Sequence, residues 1–195
     1  MAIRLGILGI GSMGRHHVRN ARATAGVDLV ALADPGGDRF GVAGDLPVLG
    51  GVEELIEAGI DAAIVAAPTA HHEAAALALA EAGVHALVEK PLATSVEAGR
   101  RIRDAFTAAG RVGAVGYVER CNPALIDMRR RIAQGQLGEI EQIATRRQSP
   151  FPARISDVGV VKDLATHDVD LAAWVAGAPY ESIYARTSVR SGRVH

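Results

Sequence analysis

Apolar and polar positions come in blocks along the first 118 residues. Short runs rich in Ile, Leu, Val and Ala occupy 3–8, 27–33, 62–67, 85–88 and 112–118. Between them, apolar residues recur at helical spacing over 13–25, 52–58, 71–82 and 95–109. Short apolar runs bounded by Gly or Pro read as buried strands, and the longer periodic stretches as helices. Their alternation predicts an α/β fold built on a doubly wound parallel sheet. Ligands of such sheets bind beyond the carboxyl ends of the strands.

After residue 119 the pattern changes. Asn122-Pro123 opens a helix over 122–134, since proline suits a first helical turn. Residues 139–148 alternate like a strand with one wet face, a loop carries Pro150 and Pro152, a helix covers 163–176, and 180–189 alternates again. The chain is therefore expected to hold one full domain, 1–119, and an incomplete α/β one, 120–195. Two strands and two helices are too little for an independent domain. They imply either a fragment of a longer protein or a sheet covered by another chain.

The first loop has a specific shape. Strand 3–8 runs into Gly9-x-Gly11-x-x-Gly14, a helix follows, and the next strand ends at Asp34, 20 residues after Gly14. This is the dinucleotide-binding fingerprint of the Rossmann fold in its proper strand–turn–helix–strand context. Gly9 permits the tight turn, Gly11 the approach of a pyrophosphate, and Gly14 the closure of the helix on the sheet. Ser12 and Met13 complete the cradle, with Ser12 expected to cap the helix. The helix N-terminus offers N–H groups and a positive dipole to phosphate. Asp34 can accept from both hydroxyls of an adenosine ribose, which favours NAD. Arg39, nearby in the loop, leaves NADP open.

Composition narrows the class. Of 195 residues 49% are apolar but only 4% aromatic, so the core must rest on Ala, Val, Leu and Ile. Net charge is −1 with the two signs interspersed, which offers no basic face to nucleic acid. Cys121 is the single cysteine, so an intrachain disulfide is excluded. No apolar run approaches the roughly 18 residues of a membrane span. A cytoplasmic protein with no nucleic-acid or membrane partner is expected.

Several polar residues fall at strand ends and so on one edge of the sheet: Pro68-Thr69, Glu89-Lys90-Pro91 and Tyr117. Lys90, between an apolar strand and a proline, can donate to a substrate hydroxyl or to the nicotinamide ribose, or can be a surface lysine partnered by Glu89. A cis Lys90–Pro91 bond would fix its direction. His72 opens a helix near the same edge and either faces the nicotinamide or serves as a cap or packing residue. Asp163, His167 and Asp170 lie at i, i+4 and i+7 of a helix, on one face. Acid–base catalysis by His167, a metal site, or an acid-stabilised helix start all fit that trio. His16 and His17 are neighbours on the first helix and point apart, so a metal pair there is not expected. Arg120, Arg146 and Arg147 can answer a diphosphate or lie in solvent, and Asn122 can meet a sugar hydroxyl or acetamido group.

Taken together, GIGSMG (Gly9 to Gly14), Asp34, Pro68-Thr69-x-x-His72, Glu89-Lys90-Pro91 and Asp163-x-x-x-His167 resemble the Gfo/Idh/MocA oxidoreductases over nearly the whole chain. The resemblance implies NAD(P)-dependent oxidation of a ring secondary alcohol on a sugar, nucleotide sugar or cyclitol. Lys90 would bond the reacting hydroxyl, His167 accept its proton, and Asp163 orient substrate or lysine. Gly9, Gly11, Ser12, Met13, Gly14, Asp34, Pro68, Thr69, His72, Glu89 and Lys90 would line the cofactor site, and no metal is required. A mostly antiparallel sheet in the second domain, through which members oligomerise, is also implied, although members continue well beyond position 195. A finer likeness, to members that oxidise the 3-hydroxyl of UDP-N-acetylglucosamine, rests on the segments 116–124, 146–152 and 157–160, with Cys121 departing from the usual Phe. It would add Tyr117, Arg120, Asn122, Arg146 and Arg147 to the substrate side. The other readings are an NAD-binding module without turnover and a dehydrogenase or reductase of amino-acid intermediates.

Overall fold

The computed structural model describes residues 1–148, 159 and 161–188. The chain divides into two compact units, Met1–Gly116 and Tyr117–His195.

The first unit is built on one sheet of six strands: β1 (Ile3–Leu8), β2 (Val27–Ala33), β3 (Val48–Leu49), β4 (Ala62–Val65), β5 (His85–Val88) and β6 (Gly113–Val115). Their order is β3-β2-β1-β4-β5-β6 and every pairing is parallel. The crossovers carry helices α1 (Gly14–Ala23), α2 (Val52–Glu57), α3 (His72–Glu81) and α4 (Val96–Ala108). Successive strand residues face opposite sides, and the core splits accordingly. Ile7, Leu29 and Leu32 pack with Val18 and Ala21 of α1 on one side, Leu29 and Leu32 sharing it because the β1–β2 register shifts between Leu5 and Gly6. Val65 and Val88 pack with Leu55 of α2, Leu79 of α3, and Ile102 and Phe106 of α4 on the other. Ala75, Ala76 and Ala80 let α3 lie close to the sheet where larger side chains would hold it off. Ser95 caps α4, its hydroxyl accepting from the Ala98 N–H at 3.2 Å.

Several element ends differ from expectation. Helix α1 starts at Gly14, and its N-cap residue is Met13 with no side-chain cap bond, so Ser12 does not cap it. The first helical contact, from Arg15 N–H to the Gly11 carbonyl, is made by the glycine turn itself. A single 3₁₀ turn, Thr69–His71, precedes α3. Strand β6 stops at Val115, and 118–121 fold into another 3₁₀ turn.

In the second unit α5 (Pro123–Ala133) starts at the expected place, and α6 (Thr166–Ala176) ends at Gly177, whose φ of 68° is left-handed. The expected helix 163–176 is divided, because a π-helical turn, Val161–Ala165, leads into α6. Residues 139–148 and 180–188 form no strand, contrary to their alternation, and the implied antiparallel sheet is not formed among the described residues. An alternating segment becomes a strand only where a neighbouring edge completes its hydrogen-bond ladder. Val189, the loop with Pro150 and Pro152, and most of 157–160 lie outside the described residues. The described residues buried in this unit are Gly159, Asp163 and Val175, while Ile183 and Tyr184 are 78% and 92% exposed. Among the described residues no helix is long and apolar enough to cross a membrane.

This division of burial is testable by denaturant unfolding. Leu79 is fully buried, and Leu79→Ala is expected to lower stability by about 2–5 kcal/mol. Ile183→Ala, at an exposed position, is expected to stay within about 0.5 kcal/mol of the parent.

Candidate functional site

Because every strand runs the same way, the segments after β1, β2, β4, β5 and β6 emerge on one edge. The chain turns to opposite sides from β1, and that switch point is where the glycine turn sits. Gly9 has φ +85°, and a Cβ there would lie 2.7 Å from the backbone of Ala66 and Ala67. A Cβ on Gly14 would collide with the Gly9 carbonyl oxygen. Both glycines are required by the closeness of α1 and the β4 end to the turn. Gly11 differs: a Cβ there would meet nothing within 4 Å. The space it faces is the space a pyrophosphate needs. Ser12 and Met13 are exposed beside it, and the first turn of α1 carries no acidic side chain to compete for its N–H groups.

Asp34 is tied into this turn. Its Oδ2 accepts from the Ile10 N–H at 3.0 Å and its Oδ1 from the Gly36 N–H at 2.8 Å. Each oxygen keeps acceptor capacity for a ribose hydroxyl. The Arg39 guanidinium lies across Gly36, its Nε donating to the Gly36 carbonyl at 3.4 Å. The donor set, the open space at Gly11 and the anchored acid fit an adenine dinucleotide.

At the β4 end Pro68 is exposed and Thr69 half-buried. His72 is buried behind this edge. It is 1% exposed, with Nε2 2.8 Å from the Ala67 carbonyl and Nδ1 3.0 Å from the Pro91 carbonyl. It lies between the segments that follow β4 and β5, where a neutral imidazole donates to one of the two carbonyls and packs against the other.

The Lys90–Pro91 peptide bond is cis. Glu89 is not a surface partner for lysine but a buried carboxylate, 5% exposed. Its Oε1 accepts from His17 Nε2 at 2.7 Å and its Oε2 from the Lys90 N–H at 3.1 Å. Gly116 makes the room, since a Cβ there would be 3.0 Å from the carboxyl group. Burial pushes the Glu89 carboxyl up, but the His17 hydrogen bond and charge, the Lys90 N–H and the Lys90 charge together hold it below the usual carboxylate range. Sequence reasoning missed His17. The available signal was its place one helical turn after Gly14, on the face that meets the sheet.

In the second unit Asp163 is buried, 5% exposed, and its N–H donates to the Gly159 carbonyl. His167 lies in the first turn of α6, half-buried. Asp170 is committed elsewhere: Arg120 donates to it bidentately, Nε at 2.7 Å and Nη2 at 2.5 Å. Arg120 also lies 5.4 Å over the Tyr117 ring. Burial, then the Asp170 charge, raise the Tyr117 phenol above its usual value against the Arg120 charge. Arg147 pairs with Asp168, Nε at 2.9 Å, and reaches Glu119 at 3.6 Å. These two arginines brace the acids of α6 before any diphosphate is present, although each guanidinium retains further donors. Asn122 accepts from the Ala124 N–H and so caps α5. Arg146 is exposed. Among the described residues no group of three His, Cys, Asp or Glu could hold a metal.

Two outcomes check this geometry. Gly11→Ala meets no atom and has no left-handed φ, so the melting temperature is expected to hold while NADH affinity in a fluorescence titration falls at least about tenfold. Glu89, ionising below its unfolded value of 4.5, contributes stability that is present above that value and lost as pH falls through the folded one. Melting temperature is therefore expected to fall more steeply in the parent than in Glu89→Gln between about pH 5 and about pH 3.

The chain is similar to known proteins over both units. Residues 3–117 match the family described as "Oxidoreductase family, NAD-binding Rossmann fold", and 125–194 match the GFO/IDH/MocA C-terminal domain. Inositol 2-dehydrogenase 2 of Saccharopolyspora erythraea is 31% identical over 98% of this chain and 59% of its own length. UDP-N-acetylglucosamine 3-dehydrogenase of Acidithiobacillus ferrooxidans is 31% identical over 90% of this chain and 55% of its own. Among solved structures, the WlbA dehydrogenase of Bordetella pertussis, in complex with NADH and UDP-GlcNAcA, superposes with a TM-score of 0.83 at 28% identity, over 99% of this chain and 60% of that one. The chain thus spans a little over half the length of these relatives. With its glycine turn, its anchored Asp34 and matches over both units, the chain belongs to the Gfo/Idh/MocA family of oxidoreductases, whose front domain is an NAD-binding Rossmann fold.

Proposed function

We propose that this chain serves the reversible NAD-dependent oxidation of a ring secondary alcohol on a cyclitol, a sugar or a nucleotide sugar such as UDP-N-acetylglucosamine. The observation that carries the reading is the placement of Lys90: it leaves the carboxyl edge of the sheet from a buried, hydrogen-bonded segment, on the edge that also holds the glycine turn. In this reading residues 1–119 form the cofactor domain and 120–195 contribute to the substrate side.

The dinucleotide, when bound, accepts or returns the hydride. Gly9, Gly11, Ser12, Met13 and Gly14 would receive its pyrophosphate, Asp34 its ribose, and Pro68, Thr69 and Glu89 would shape the neighbouring wall. Asp34 favours NAD, because a 2′-phosphate would meet its charge, while Arg39 beside Gly36 supplies a cation that tolerates NADP. The Lys90 ammonium donates to the reacting hydroxyl and stabilises the negative charge that develops on its oxygen. His167 takes the hydroxyl proton as general base, and Asp163 orients the groups around it. Tyr117, Arg120, Asn122, Arg146 and Arg147 form the substrate side, the paired arginines through their remaining donors. The likeness to inositol and UDP-N-acetylglucosamine dehydrogenases supports the alcohol class. Exposure of Ile183 and Tyr184 supports self-association through the second unit.

The test is nicotinamide absorbance with a panel of inositols and UDP-sugars. Turnover is expected with at least one, and Lys90→Ala is expected to reduce it by about 10²–10³. NADH binding without turnover of any of them would assign the chain to the cofactor-holding module instead.

A further inference from the structure

We infer that His17 is a positioning residue: through the buried Glu89 carboxylate it fixes the direction in which Lys90 leaves the sheet. The inference rests on the role proposed above for Lys90, and it concerns a side chain to which the proposed function gives no part.

The two oxygens of Glu89 do different work. Oε1 meets the His17 imidazole at 2.7 Å, and Oε2 accepts from the main-chain N–H of Lys90 at 3.1 Å. An ionised carboxylate can only accept, so His17 Nε2 carries the shared proton. The planar carboxylate therefore has one oxygen on α1 and the other on the peptide that carries Lys90. The main chain on either side is also held. Glu89 N–H donates to the Val65 carbonyl at 2.9 Å, and the Val88 carbonyl accepts from Gly116 N–H at 2.8 Å. On the far side of Lys90, the Pro91 carbonyl lies 3.0 Å from His72 Nδ1, against a side chain buried at 1% exposure. Helices α1 and α3 pack on opposite faces of the sheet. Lys90 is thus bracketed by two histidines, one from each face: His17 through a side chain, His72 through a carbonyl. A flexible four-carbon stem gains direction only from a rigid attachment, and this bracket provides one. Because α1 also begins at Gly14, the same helix frames the glycine turn and steadies the lysine.

The chain makes the test clean, since Lys90 and Lys162 are its only lysines among 21 basic side chains. Acylation of each by an amine-reactive ester, read by peptide mass spectrometry, gives a Lys90:Lys162 ratio with Lys162 as the internal standard. His17→Leu, which removes the donor at similar volume, is expected to raise that ratio at least about threefold by releasing the loop. His17→Gln, whose amide N–H reaches to a similar point, is expected to stay within about twofold of the parent, a rescue that bulk alone would not produce. Glu89→Gln is expected to raise the ratio like His17→Leu and supplies the measurement if the leucine variant does not fold. An unchanged ratio in the folded His17→Leu and Glu89→Gln proteins overturns the inference, as does a glutamine variant that behaves like the leucine one. No cofactor or substrate enters the measurement, so failure of the hydride-transfer reading would show in the alcohol panel and not here.

Discussion

The structure depends on a place where two stretches of backbone come too close for any side chain. Helix α1 can lie against the β1 turn only because Gly14 presents no Cβ to the Gly9 carbonyl, and the turn can reach the β4 end only because Gly9 presents none to Ala66 and Ala67. That contact puts a helix N-terminus at the switch point of a parallel sheet, the place where such a terminus can offer N–H groups to an anion. The rest of the front unit is arranged around this contact. The Ala-rich α3 and the aliphatic core on both faces keep the sheet order, and the sheet order brings Asp34, Thr69 and Glu89 to the same edge.

The polar chemistry of that edge is mostly internal. Asp34, His72 and Glu89 each hold backbone from a distant part of the chain. A buried carboxylate without partners would be strongly disfavoured; Glu89 is kept ionised by a histidine 72 residues away, a main-chain N–H and a neighbouring lysine. In the second unit Arg120 and Arg147 likewise stabilise acids of α6 from the segments before it. The side chains proposed to meet cofactor and substrate are also what holds these segments in shape.

How much of this could be read from the chain follows the range of each interaction. The glycine turn, Asp34, the alternation of strands and helices, and the start of α5 at Pro123 are local patterns, and each appears where its spacing puts it. The ends of α1 and β6 moved by a few residues because tertiary contacts, not propensity, decide where a helix or ladder stops. The segments 139–148 and 180–188 failed as strands for a related reason: alternation states which face is wet but supplies no partner edge. The His17–Glu89 pair and the His72 clasp were invisible, since each joins residues from separate crossovers and nothing in either neighbourhood names the other. His72 was noticed for its position at the edge, yet its two nitrogens face the carbonyls of Ala67 and Pro91 in the interior.

Asp34 shows what such double duty means for redesign. The acid that would discriminate between the two nicotinamide dinucleotides also bonds the Ile10 N–H inside the phosphate turn and the Gly36 N–H of the next loop. Exchanging it for a small neutral residue to welcome a 2′-phosphate would strand two main-chain donors at the moment the new charge must be accommodated. In the proposed reading, coenzyme preference and the rigidity of the turn rest on one side chain, and a variant that alters the first must rebuild the second.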